Sequence, residues 1–372
     1  AACESGPKVN RPLQASLLNH RLTGLPLRRM IDRTVTRSSE VTDRQPRAFP
    51  GNADPDVGRS AVPGEREGPA SPHASLRPGG MSVSDWFPKQ KMGDLPSRAA
   101  GLWPERCALV YGDRRWTFSQ LSGEVDRAAS ALMDAGVQPG EKVAVWMTNR
   151  PEWIVLMYAV AKVGATLVPL NTRYRSNDVG YTIQQSDTST LISMDRSGPV
   201  DYFSMLQDIM PGLAEQDARD LKLADFPQLK RFVLFSDDAG RKEAGTIGWG
   251  EFLEGASKVD APALAERAAS VDPDSTLVIA YTSGTTGSPK GVMHSHIAIR
   301  NVMDAVNRMG VTHEDVILNY LPMFHLYAFS VCAMQSIISG AKQVLMDAFD
   351  TAQVLDLVER EKGTLLHGFD TH

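Results

Sequence analysis

An α/β fold of parallel-sheet layers with flanking helices is the architecture this 372-residue sequence predicts. Three features carry that expectation. Strand-like and helix-like segments alternate from about Met92 to the end. Strand candidates such as 142–147 are apolar runs of the kind buried on both faces. The chain also exceeds one typical domain and is ample for a sizeable core.

Residues 107–111 and 115–118 flank Gly112-Asp113 and read as a hairpin. Ser119 is placed to cap a helix running to about Ala135, with Gly136 as its stop and Pro139-Gly140 as a turn. A strand at 142–147, a helix at 152–163, a strand at 166–168, a helix at 176–185 and a strand at 190–194 follow. The interval 197–230 is polar and helical at best. Next come a strand at 232–235, a loop through Gly248, a short helix at 262–269 and a strand at 276–280. Helices at 295–309, 327–339 and 351–361 then alternate with strands at 316–321 and 343–346.

Residues 1–80 differ from the rest. They hold 10 of the 23 prolines, 12 basic against 8 acidic residues, no Trp or Tyr, and Phe49 as their one Phe. Such a stretch buries too little apolar surface to offset its ordering entropy and is expected to be disordered. Its first 37 residues carry seven Lys and Arg against Glu4 and Asp32, a bias shared with organelle transit peptides. Met81 stands directly before sequence of globular character, so the favoured expectation is that residues 1–80 are a leader outside the working protein, which starts at 81. A cytoplasmic location is expected, or a mitochondrial one if the basic leader is genuine.

The net charge of −5 argues against a general nucleic-acid binder. Cys3, Cys107 and Cys332 are too scattered for a metal site or a disulfide framework. The nearest approach to a membrane span, 324–341, contains His325, Gln335 and three serines and reads as a buried helix. No transmembrane segment is expected, and the oligomeric state stays open.

The stretch that carries chemistry is Tyr281 to Gly291, YTSGTTGSPKG, entered from the apolar run Leu277-Val278-Ile279-Ala280. Glycines let a backbone turn sharply and bring its N–H groups close to an anion. Thr282, Ser283, Thr285, Thr286 and Ser288 add hydroxyl donors, Pro289 stiffens the segment and Lys290 adds a mobile positive charge. That is equipment for holding phosphate, although Pro289 and Gly291 around the lysine depart from the common nucleotide loop. His294 and His296, two apart, would point to different sides of a helix and suit a helix start better than a metal site. His313, Glu314 and Asp315 read as a solvated turn and helix cap. Motifs of serine hydrolases and zincins are absent.

The eleven-residue stretch resembles the signature phosphate-binding motif of the adenylate-forming superfamily, which includes acyl-CoA synthetases, peptide-synthetase adenylation domains and luciferase-like enzymes. The resemblance extends from about Met92 to the end. WPERCALVYGDRRWTFSQL (103–121) resembles the opening of fatty-acyl-CoA synthetases. GATLVPLNTRYR (164–175) resembles their next landmark, with Thr172 where proline is usual, and favours this branch over peptide synthetases. LPMFHLY (321–327) resembles a further core motif whose histidine or aromatic residue stands at the acid-binding pocket. By position alone His325 would be a packed core histidine.

The resemblance implies an AMP-forming acid–thiol ligase of fatty acid metabolism. ATP, Mg2+ and CoA are implied, with a carboxylic acid, of fatty type in this branch, as the small-molecule substrate. It assigns nucleotide phosphates to Thr282, Ser283, Gly284, Thr285, Thr286, Gly287 and Lys290. Lys290, Thr286 and His325 take the catalytic roles. No metal ligand is assigned within this sequence. In the family, a magnesium-serving glutamate, a ribose-binding aspartate, a hinge and a small lid domain with a second lysine lie further on, and none has a match here. The expectation is therefore an incomplete N-terminal domain, inactive alone and with an unpaired sheet edge. A non-catalytic truncated paralogue that binds nucleotide or a partner, and an aryl- or amino-acid adenylating enzyme, are the alternatives.

Overall fold

The computed structural model describes residues 89–238, 241–282 and 288–368; the 1–80 leader and a domain start at 81 lie outside them. Helix α1 (Leu95–Leu102) precedes the hairpin of β1 (Cys107–Tyr111) and β2 (Arg114–Thr117), whose turn holds Gly112 at φ 58°. Helix α2 (Phe118–Asp134) is capped by Thr117 rather than by Ser119. Thr117 Oγ1 accepts from Gln120 N while Gln120 Oε1 accepts from Thr117 N. The reciprocal partner at the third helical position decides the cap, and Ser119 has only Ser122 there.

The elements β3 (Lys142–Trp146), α3 (Pro151–Lys162), β4 (Thr166–Pro169), α4 (Ser176–Gln185) and β5 (Thr188–Met194) follow as expected. The polar interval is more ordered than its composition suggests. It contains the two-stranded β6 (Arg196–Ser197) and β7 (Val200–Asp201), then α5 (Tyr202–Ile209), and it buries Phe203, Leu206, Leu213, Phe226 and Leu229. After β8 (Arg231–Phe235), the expected loop yields β9 (Ile247–Gly248) and α6 (Trp249–Glu254), then α7 (Ala261–Ala269).

Strand β10 (Thr276–Thr282) is followed by a second strand, β11 (Lys290–Ser295), and helix α8 starts only at Ala298 (Ala298–Met309). The expected helix start at Ser295 is thus corrected: the antiparallel partner β10 claims residues 290–295. Then come β12 (Val316–Asn319), α9 (Leu326–Ala328), a π-helical segment (Phe329–Met334), α10 (Gln335–Ser339), β13 (Lys342–Leu345), α11 (Thr351–Glu361) and β14 (Leu365–Leu366).

Two sheets result. One has the order β11-β10-β4-β3-β5-β8-β9 and the other β14-β12-β13-β1-β2. Each is parallel throughout except for one antiparallel hairpin at an edge, β10–β11 in the first and β1–β2 in the second. Helix α3 is apolar nearly all round, and such a helix belongs between layers. It packs on α2 and β4, and its Tyr158 hydroxyl donates to Ala333 O of the π segment at 3.0 Å. Its Trp153 meets Phe329 edge-on at 6.3 Å.

A buried polar clamp joins the two sheets. Asn149, just past β3 and only 3% exposed, donates through Nδ2 to Leu321 O at 2.9 Å and to Met346 O at 3.0 Å. Its Oδ1 accepts from Met323 N at 2.8 Å. One amide thus ties the carboxyl end of β3 to the segments leaving β12 and β13.

A second buried polar group closes the other sheet. Glu361, at the end of α11, receives both Arg115 nitrogens at 2.7 and 3.0 Å and Lys342 Nζ at 3.1 Å. The Arg115 hydrogen bonds, then those of Lys342, hold its carboxyl down at about 2. Near the start of the described chain, Met92 N donates to Nδ1 of buried His296 at 3.0 Å, and burial lowers that imidazole to about 4.

Both values lie below the ordinary 6.5 of histidine and 4.5 of glutamate, so stability present at neutral pH is lost on acidification. The loss is expected from about pH 6.5 down to 4 through His296, and from 4.5 down to 2 through Glu361. Thermal midpoints measured against pH check this: Glu361→Gln should abolish the lower step, which is worth on the order of 3 kcal/mol. Asn149→Ala strands two carbonyls and one amide, and should cost about 2–5 kcal/mol in denaturant unfolding.

Candidate functional site

The two described ends of the glycine- and threonine-rich motif belong to the paired strands β10 and β11, Tyr281 and Thr282 closing the first and Lys290 and Gly291 opening the second. Leu277, Val278, Ile279 and Ala280 are buried and seat β10 in the sheet; Thr282, at its end, is exposed. The register pairs Thr282 with Lys290, Tyr281 with Gly291 and Val278 with His294. Ser283, Gly284, Thr285, Thr286 and Gly287 lie outside the described residues. Of the residues singled out by sequence, Thr282 and Lys290 therefore stand opposite each other at the open end of the hairpin, both exposed.

Gly291 serves packing here. A Cβ on it would lie 2.7 Å from Ile279 Cγ2 and 3.2 Å from Tyr281 Cζ, so only glycine leaves room for the Tyr281 ring across the ladder.

His294 and His296 do not start a helix. His294 belongs to β11, and His296 is buried as the acceptor for Met92 N. The His313 turn is confirmed, with Asp315 Oδ2 accepting from Thr312 N at 2.8 Å, but it leads into strand β12 and caps no helix. His313 instead lies over Trp103, ring centroids 6.2 Å apart.

His325 is exposed, so it is not a packed core residue. It is the N-cap of α9, with Nδ1 accepting from Tyr327 N at 3.2 Å. Leu321 and Met323, just before it, are the residues gripped by Asn149. The Asn149 clamp therefore fixes where His325 sits relative to the first sheet.

Beside this histidine, between the hairpin and the helices that follow it, lies an apolar cavity of about 290 Å³. Val278 and His294 line it from β10 and β11, Ala298 and Ala305 from α8, and Leu326 and Met334 from the stretch after His325. The strand that carries Lys290 and the helix that His325 caps thus face one hollow. Four of the π-helical residues, Phe329, Ser330, Val331 and Met334, contribute to its wall. Single π turns within helices recur at functional sites.

Among the described residues no group of three or more His, Cys, Asp and Glu side chains is placed to hold a metal. A magnesium ion held largely by a nucleotide's phosphates needs no such cluster. No helix of the described residues is long and apolar enough to cross a membrane.

Sequence reasoning did not find Asn149, the cavity or β11. Thr148-Asn149-Arg150-Pro151 reads as a turn, and its partners lie more than 170 residues away. The cavity is assembled from three separate stretches. For β11 a signal existed: Gly291 and the apolar pair Val292-Met293 straight after the lysine suit a returning strand.

Comparison with known proteins accords with this geometry. The family model described as AMP-binding enzyme matches residues 97–371. The Bacillus subtilis (strain 168) protein YngI, whose name is that of an acyl-CoA synthetase, is 34% identical over 75% of this chain and 51% of its own length. A Rhodococcus jostii (strain RHA1) 3-[(3aS,4S,7aS)-7a-methyl-1,5-dioxo-octahydro-1H-inden-4-yl]propanoyl:CoA ligase is 32% identical over 74% of this chain and 51% of its own. The inhibitor-bound N-terminal domain of FACL13 from Mycobacterium tuberculosis superposes with a TM-score of 0.56 at 27% identity, covering 74% of this chain and 62% of that one. The chain spans about half the length of the curated relatives it matches. It belongs to the AMP-binding enzyme family.

Proposed function

We propose that this chain carries the phosphate-holding and acid-holding parts of an ATP-dependent carboxylate activation. The observation that supports the reading is the cavity itself, an apolar hollow flanked by the Lys290 strand on one side and the His325-capped helix on the other.

Such a cavity suits the hydrocarbon body of an acid, fatty or aryl, while its open end leaves a carboxylate in reach of polar groups. The carboxylate oxygen attacks the α-phosphorus of ATP; the bond from that phosphorus to the β-bridging oxygen breaks, and pyrophosphate leaves with its electrons. The thiol of CoA then attacks the acyl carbon, AMP departs, and the thiol proton is released. The first step presses an anion against a polyanion, so fixed donors and cations decide its rate. Thr282 and Lys290 stand opposite each other at the end of the paired strands, and Ser283, Gly284, Thr285, Thr286 and Gly287 fall between them in sequence. We assign these residues to the β- and γ-phosphates, Lys290 as countercharge, and His325 to the carboxylate side. Magnesium would screen the phosphates between them. A working domain from residue 81 and a cytoplasmic location complete the reading.

Lys290 is exposed, so Lys290→Ala should leave thermal stability within about 0.5 kcal/mol of the parent. Acid-dependent ATP–pyrophosphate exchange in the full-length protein should fall by roughly 10²-fold. Unchanged exchange in that variant refutes the assignment.

A further inference from the structure

The β10–β11 hairpin outruns its sheet. Strand β4, the neighbour of β10 on the inner side, pairs with it only at Val278↔Leu167. Strand β11 is the outer edge. Strand β4 ends at Pro169, so only Tyr281 and Thr282, opposite Gly291 and Lys290, extend past it as a two-stranded ribbon, and an isolated ribbon is marginally stable in water. Lys290 sits at the far end of that ribbon.

Helix α4 grips the ribbon at both stems. The Tyr181 hydroxyl donates to Pro289 O at 3.2 Å, one residue before Lys290. The Tyr281 hydroxyl, one residue before Thr282, donates to Gln185 Oε1. Tyr181 and Gln185 are four apart and so share one face of α4. The missing Cβ of Gly291 is what lets the Tyr281 ring cross toward that face. The helix is a firm anchor, since Val179, Thr182 and Ile183 are buried and Asp178 accepts from Arg175 N at 3.0 Å at its start. Burial also pushes the Tyr281 phenol up to about 12, so it stays a donor at neutral pH.

We propose that Tyr181 and Gln185 are positioning residues for Lys290, a latch that holds the lysine where the nucleotide phosphates bind. Neither touches the reacting atoms. The inference rests on the reading of Lys290 as phosphate countercharge. It adds that helix α4, which carries none of the sequence motif, sets how tightly ATP is held.

The test compares Tyr181→Phe, Gln185→Leu and Lys290→Ala, singly and as Tyr181→Phe with Lys290→Ala, in the full-length protein. ATP affinity is read by calorimetry, KM for ATP and for the acid by pyrophosphate exchange, and folding by thermal midpoint. One lost hydrogen bond should raise Kd and KM for ATP about three- to tenfold in each latch variant. KM for the acid and the midpoint should stay at parent values. In the Lys290→Ala background Tyr181→Phe should add nothing, as two residues acting through one group require. Gln185 is exposed, so its variant keeps the test open should Tyr181→Phe fold poorly. Full ATP affinity in both latch variants, with Lys290→Ala impaired, overturns the latch and leaves the reading of Lys290 standing. A lowered midpoint with all constants equally affected also overturns it, as a purely structural contact. Unimpaired Lys290→Ala removes the reading of Lys290, and the latch falls with it.

Discussion

The amide of Asn149 is the contact on which the relation of the two sheets depends. Its three hydrogen bonds hold the end of β3 against the segments leaving β12 and β13. Apolar packing of α3 between the layers supplies most of the cohesion, but such packing is non-directional and tolerates sliding. A buried amide with both ends satisfied does not, because a shift of one ångström leaves polar atoms unpaired. The clamp therefore turns two sheets that could slide into one frame. Its location matters for chemistry, since ligands of parallel α/β folds bind at the carboxyl ends of strands.

That frame sets the strand that carries Lys290 and the helix that His325 caps against one apolar cavity, which His294 and Leu326 line. Lys290 rides on the hairpin at the first sheet's edge; His325 begins the helix after β12 in the second sheet. Val278 and His294 of the first sheet line that cavity together with helix α8 and the helical stretch between β12 and β13. Membership of the AMP-binding enzyme family gives that arrangement a chemical sense. The chain's span of about half its relatives bounds how much of the full reaction these residues account for.

Much of this was legible in the sequence where local chemistry decides structure. The apolar runs at β3, β5, β8 and β10 and the helices between them followed from pattern alone, because a strand buried on both faces has few other options. The eleven-residue motif pointed to the family. Legibility failed where a distant partner decides. Residues 290–295 carry a mixed pattern, and only β10 alongside makes them a strand. Thr117 displaced Ser119 as a cap because of one glutamine side chain. His296 looked like a helix start and is a buried acceptor, because Met92 arrives from 204 residues away. Gly291 looked like part of a phosphate loop, and what it spares is room for the Tyr281 ring.

The central claim is that the hairpin and the π-helical stretch form one site for an acyl-adenylate. Hydrogen–deuterium exchange of the full-length protein, with and without a non-hydrolysable acyl-adenylate analogue, tests it most directly. The account predicts new protection in both 276–295 and 326–335, rising together with analogue concentration. Protection confined to one of the two segments, or found elsewhere with both unchanged, would contradict it.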